Sequence, residues 1–160
     1  MEQFEAAREK AKKNIQIADH MLSVTYPLIK DTKLLLAIIE NIFLAMTNAM
    51  TSVLYHERMY KRIPPFQNSF ESKFNIFKER LVHKYEIDKS LVADIREIKN
   101  IILEHKKSPI EFKRKDRFVI CSSTYKLRTL GIADIKNYLA RAKIFIQAMD
   151  NILDKNERIS

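Results

Sequence analysis

The sequence predicts an all-α protein: an up-down bundle of about five helices with one long basic connection before the last. Three observations carry this. Glycine occurs once and proline four times in 160 residues, too few turn residues for an all-β design, which needs them every few positions. Apolar residues recur at three- and four-residue spacing over long stretches. The connections after the second and third helices are short, which favours antiparallel neighbours. With 46% hydrophobic and 31% charged residues, residues 1–160 are expected to fold as a single domain around one core.

The first helix is expected from about Glu2 to Thr25, with Ala6, Ala7, Ala11, Ile15, Ala18, Leu22 and Tyr26 at helical spacing. Pro27 should end or kink it, because an interior proline removes a hydrogen bond. Asp31 or Thr32 caps the second helix, which runs to about Arg62. This helix is expected to be central, since its first half is apolar on most sides. Its run Leu34 to Met50 is short for a spanning segment and contains Glu40, Asn41, Thr47 and Asn48. It therefore reads as a buried core helix, with no membrane partner.

Ile63-Pro64-Pro65-Phe66 breaks the chain, and Asn68 with Glu71 three residues later marks the start of the third helix. Its apolar face is Phe70, Phe74, Phe77, Leu81 and Tyr85. Asp88 or Ser90 opens the fourth helix, whose inner face continues through Leu91, Ile95, Ile98, Ile102 and His105. The fifth starts near Gly131 and carries Ile135, Leu139, Ala142, Ile146, Met149 and Leu153.

Residues 107–130 form a connection far longer than helical bundles ordinarily use. Arg117-Phe118-Val119-Ile120-Cys121 and Tyr125-Lys126-Leu127-Arg128-Thr129 have strand-like composition, and Ser122-Ser123-Thr124 suits a turn, so a small β-hairpin is expected there.

The same segment holds most of the charge. The chain carries 29 Lys+Arg against 20 Asp+Glu, net +9. Residues 106–128 contain eight cations (Lys106, Lys107, Lys113, Arg114, Lys115, Arg117, Lys126, Arg128) and two anions (Glu111, Asp116), net +6. Elsewhere the surface is close to neutral. A concentrated positive field favours polyanionic partners. Phe112, Phe118 and Tyr125 are interleaved with these cations. Cations pair with phosphates and aromatic faces stack on unpaired bases. The segment reads equally well as a loop pinned by its aromatics and kept soluble by its lysines.

Catalytic and metal-binding patterns are sparse. His20, His56, His83 and His105 never fall three or four residues apart, and none follows a glutamate by three, so neither a helical zinc pair nor a Glu-x-x-His di-metal motif is present. A Gly-rich phosphate loop and a Gly-x-Ser-x-Gly nucleophile motif are absent. No catalytic residue, metal or cofactor is assigned. Cys121 is the one cysteine, which excludes an internal disulfide and suits a reducing cytoplasm. Arg117, Lys126 and Arg128 near it would lower its pKa, while Val119 and Ile120 suit a buried structural thiol. Met1-Glu2-Gln3-Phe4-Glu5 does not read as a signal peptide.

The second helix carries a polar wedge: Glu40, Asn41, Thr47, Asn48, Tyr55 and Arg58, with Thr51, Ser52 and Arg62 alongside. As a functional feature it would line a pocket or face a symmetry mate. As a structural one it is a partly exposed face bonded to its own helix, the favoured reading. Glu40 stands out among Ile38, Ile39, Ile42 and Phe43. Buried there, it would need a cation such as Arg96 or Arg141.

The central-helix stretch Glu40-Asn41-Ile42 through Asn48-Ala49-Met50, followed by Glu57-Arg58, resembles the HEPN superfamily of helical bundles over roughly residues 15–155. The chain is also similar to small archaeal single-domain proteins to which no activity is assigned. HEPN ribonucleases carry an arginine, then four to six residues, then a histidine. Here Arg80 and His83 have two residues between them, and Arg96 and His105 have eight, so neither pair fits. The resemblance thus implies a non-catalytic bundle that binds RNA or a partner.

Two functions are expected. The first is nucleic-acid binding, RNA favoured, through Lys106, Lys107, Lys113, Arg114, Lys115, Arg117, Lys126 and Arg128 on phosphates and Tyr125 on a base. The alternative is a homo-oligomeric interaction or scaffold module, a homodimer through faces of the first or second helix.

Overall fold

The computed structural model describes residues 2–107, 111–114, 117–121 and 127–159, with side chains for 2–105 and 130–157. It is an all-α helical bundle with a small sheet inserted before the last helix. The helices are α1 (Gln3–His20), α2 (Tyr26–Ile29), α3 (Lys33–Met59), α4 (Phe70–Ile76), α5 (Lys89–Lys107) and α6 (Ile132–Ile159). The strands are β1 (Glu111–Arg114), β2 (Arg117–Cys121) and β3 (Leu127–Gly131).

α3 is central, as its composition demands. Leu35, Ile38, Ile39, Ile42, Ala45, Met46, Met50, Val53 and Leu54 are fully buried. Among the described residues it is the one helix long and apolar enough to cross a membrane, and 56% of that apolar window is buried by its neighbours. α1 lies antiparallel along it. Ala7, Ala11 and Ala18 are buried at this contact, where the absence of bulk lets two backbones approach. Asn48 Nδ2 donates to Asn14 Oδ1 at 2.9 Å, and Asn41 Nδ2 lies 3.9 Å from Met21 Sδ. These two contacts pin the register of the pair.

α6 buries Ile135, Leu139, Ala142, Ile146, Met149 and Leu153 as the periodicity predicts, and Phe145 besides. Ion pairs fasten its outer faces. Arg8 reaches Asp150 (2.9 Å) and Asp154 (2.6 Å), Lys143 reaches Asp19 (3.1 Å), and Arg141 reaches Asp94 (2.5 Å).

Pro27 does not end the first helix. The chain passes from α1 through a π turn, Met21–Thr25, into α2 and stays helical to Ile29, four residues beyond the expected end. The wider π turn gives slack at the position where the proline ring would strike the preceding turn. A second π turn, Phe77–Leu81, extends α4.

The cap of α4 is Ser69, one residue after the expected Asn68. Its Oγ accepts from the Ser72 amide at 3.2 Å, and Ser72 Oγ accepts from the Gln67 amide at 3.0 Å. At α3 it is Asp31 that accepts from the Lys33 amide (3.0 Å), while Thr32 Oγ1 is buried without a hydrogen bond. At α5 it is Asp88 that accepts from the Ser90 amide (2.8 Å). Asp134 Oδ2 accepts from the Gly131 amide (2.9 Å), tying β3 to the first turn of α6.

The long connection is a three-stranded antiparallel sheet in the order β1-β2-β3. β2 is where the sequence puts it. β3 is described from Leu127 to Gly131, with Tyr125 and Lys126 of the expected strand outside the described residues, and β1 is an additional strand that runs through Lys113 and Arg114. Strand preference depends strongly on pairing context, so a charge-rich strand has little signal of its own.

Candidate nucleic-acid interface

The sheet hangs on the bundle at two places: β2 lies against α5 and β3 against α6, where Leu130 is buried in the core. Lys113 pairs with Phe118, which pairs with Leu130, and Ile120 pairs with Arg128. Arg114 pairs with Arg117, which pairs with Gly131. The side chains of Lys113, Arg114, Arg117 and Arg128 lie outside the described residues.

Lys115, Tyr125 and Lys126 lie outside the described residues, as does the expected turn Ser122-Ser123-Thr124. The side chains of Lys106, Lys107 and Cys121 lie outside them as well.

The polar wedge of α3 does not form a single cavity. Glu40 is exposed, and the two cations considered for it are engaged elsewhere: Arg96 forms a two-pronged pair with Glu71 (2.7 and 2.8 Å) and Arg141 pairs with Asp94. Asn41 donates to Ala37 O at 2.9 Å and Thr47 to Phe43 O at 3.0 Å, each one turn back in the same helix. Asn48 bonds across to α1. Tyr55 and Arg58 do share a site, a cleft of about 200 Å³ with Glu2, Gln3, Phe4 and Met59.

A cation–aromatic surface runs from this cleft across α4 to α5, and sequence spacing alone did not reveal it. Tyr55 and Phe66 stack with ring centres 6.0 Å apart and planes at 15°. Arg58 lies 4.8 Å from the Tyr55 centre and 4.6 Å from that of Phe66, with Lys73 Nζ 5.6 Å from Tyr55. Further along, Phe70 and Phe74 stack at 5.1 Å, with Arg96 over both and Lys99 Nζ 4.0 Å from Phe70. Burial, followed by the nearby charges of Arg58 and Lys10, pushes the Lys73 ammonium below the ordinary lysine range.

Among the described residues the fully buried carboxylate is Glu57, not Glu40. It is 0% exposed and receives hydrogen bonds from Lys84 Nζ at 2.9 Å and from the Tyr85 hydroxyl, with Arg62 at 3.6 Å. Asn156 of α6 donates to the Tyr85 oxygen at 3.1 Å. Beside it, His56 is 1% exposed and neither ring nitrogen is hydrogen-bonded. It packs between Phe4 and Tyr60, with each ring centre 4.9 Å away. Burial pushes the imidazole below its ordinary range; the charge of Glu57 opposes this and that of Arg62 adds to it.

His20 and His83 are exposed. Among the described residues no three His, Cys, Asp or Glu side chains converge as metal ligands. Compared with models of known families and with curated proteins, the chain matches none.

Proposed function

We propose that this protein is a non-catalytic nucleic-acid-binding helical protein, with RNA favoured, whose contact segment is residues 106–128. The observation that carries this is the placement of charge: net +6 of the +9 falls in those 23 residues. The state of the remaining cations supports it. Among the described residues Arg8, Lys84, Arg96, Arg141 and Lys143 each pair with a carboxylate of the chain itself, which leaves less free charge on the bundle. The HEPN-like pattern of the central helix supports the same non-catalytic reading. The test is fluorescence anisotropy with single-stranded RNA. Replacing Lys113, Arg114, Lys115 and Arg117 together with Ala weakens binding broadly across sequences; unchanged affinity in that variant ends the proposal. Nuclease-sensitive absorbance at 260 nm in the purified protein supports it independently.

One observation favours a second reading, a homodimer through the α1–α3 face. Ile17, Val24, Leu28 and Ile29 of the first helical stretch and Leu44 of α3 are exposed, Leu28 at 81%. Exposed apolar groups on two packed helices suit an interaction surface. Light scattering decides it: a monomer at micromolar concentration rejects the dimer.

A further inference from the structure

Arg58 of α3 and Lys73 of α4 come to one patch of surface beside the stacked Tyr55–Phe66 pair. Among the described residues neither pairs with a carboxylate, in contrast to Arg8, Arg96 and Arg141. The Arg58 guanidinium donates to a neutral acceptor, Gln3 Oε1, at 3.0 Å. The acid of the adjoining cleft is Glu2, which is exposed. Burial, followed by the charges of Arg58 and Lys10, disfavours the charged form of Lys73. Like charges held over an apolar floor cost free energy, and an anion placed among them relieves it.

We propose that the Arg58–Lys73 patch is a phosphate site. It takes a phosphate of a single-stranded nucleic acid, with the Tyr55–Phe66 floor beside it for a base. Two cations from two rigid helices suit an oxyanion, and a guanidinium supplies directed donors to it. Aromatic faces next to cations are the recurring platform for unpaired bases. Continuity argues for the source. Arg96 and Lys99, both paired with Glu71, carry the aromatic surface onto α5, and α5 then runs to Lys107 at the start of the basic segment, about 12 Å from Lys99 at 1.5 Å per residue. The phosphate chemistry stands on the patch alone; its assignment to nucleic acid rests on the function proposed above.

The experiment is nuclear magnetic resonance of the labelled full chain, titrated separately with pyrophosphate and with a ten-nucleotide oligouridylate. Both should shift the Arg58 side chain and the amides of residues 55–58, 66 and 73 in a saturable way, ahead of other lysines. The double variant Arg58→Gln, Lys73→Gln should lose these shifts and weaken oligonucleotide binding several-fold. Arg58→Gln alone serves as a milder variant should the double one fail to fold. Absence of patch shifts with either probe overturns the site. Oligonucleotide shifts confined to residues 106–128 also overturn it, while leaving the proposed function in place. Pyrophosphate shifts at the patch without oligonucleotide binding anywhere uphold the phosphate site and overturn the nucleic-acid reading.

Discussion

His56 sits between two aromatic rings with both nitrogens unpaired, so its neutral form is the one the core tolerates. Its pKa in the folded state lies below the ordinary 6.5. An unfolded chain therefore binds a proton that the native state resists, and stability is retained above pH 6.5 and declines as pH falls below it. Urea denaturation of His56→Leu against the native chain checks this. At pH 8 the variant should be within about 1 kcal/mol of the native chain or more stable, because an unsatisfied polar group has been removed. Toward pH 5 its relative stability should rise. A constant difference across that range refutes the burial argument.

Glu57 adjoins it and is fully buried, yet it is served by Lys84, Tyr85 and Arg62. Glu57→Gln removes the charge at constant volume and should cost about 2 kcal/mol, since a buried charged acceptor is lost. Lys84→Met should cost about 3 kcal/mol, because it leaves the buried Glu57 charge without its nearest cation. Chemical denaturation of the two variants tests the order. Neither residue stood out in the sequence. Apolar neighbours at adjacent positions drew attention to Glu40, but in a helix adjacent residues point in different directions. Glu40 lies on the exposed strip of α3, while Glu57 reaches the junction of α3, α6 and the end of the α4 segment.

Helix ends in this chain must be made almost without glycine. Lys30, Lys61 and Glu86 adopt left-handed backbone with φ of 55°, 56° and 53°. The Ile87 amide donates to Val82 O at 2.9 Å and the Arg62 amide to Glu57 O at 3.0 Å, the closing bonds of Schellman ends at which glycine is the usual residue. Glu86→Gly should therefore stabilise the protein by about 1 kcal/mol, the relief of a side chain held in left-handed backbone. Thermal unfolding measures it, and a lower melting temperature contradicts it. Helix existence and inner faces were legible because burial imposes a 3.6-residue period. The π turn before Pro27 was not, because it answers a steric clash through backbone geometry and needs no particular residue. The cap at Ser69 was displaced by one position because Asn68 and Ser69 are both competent caps, and the geometry of the incoming chain selects between them.

For the molecule as a whole, charge placement and charge pairing act at different levels. If residues 106–128 contact four to six phosphates, the logarithm of the RNA binding constant should fall with that of salt at a slope of roughly −3 to −4. A slope near zero removes the electrostatic basis of the proposed function. Arg58→Gln, Lys73→Gln should flatten that slope by about one unit if the patch holds one or two phosphates.

From its order of residues alone, this chain determined an all-α bundle, the central place of the Lys33–Met59 helix, most inner faces, and the location of its cationic excess. These follow from local period and composition, which do not depend on what packs where. Tertiary structure decided which polar residues meet. Glu57 with Lys84 and Tyr85, Arg96 with Glu71, and Arg8 with Asp150 are partners separated by many residues. Their meeting depends on helix order and rotation about each axis, quantities that the pairwise packing of whole faces sets and no local spacing encodes.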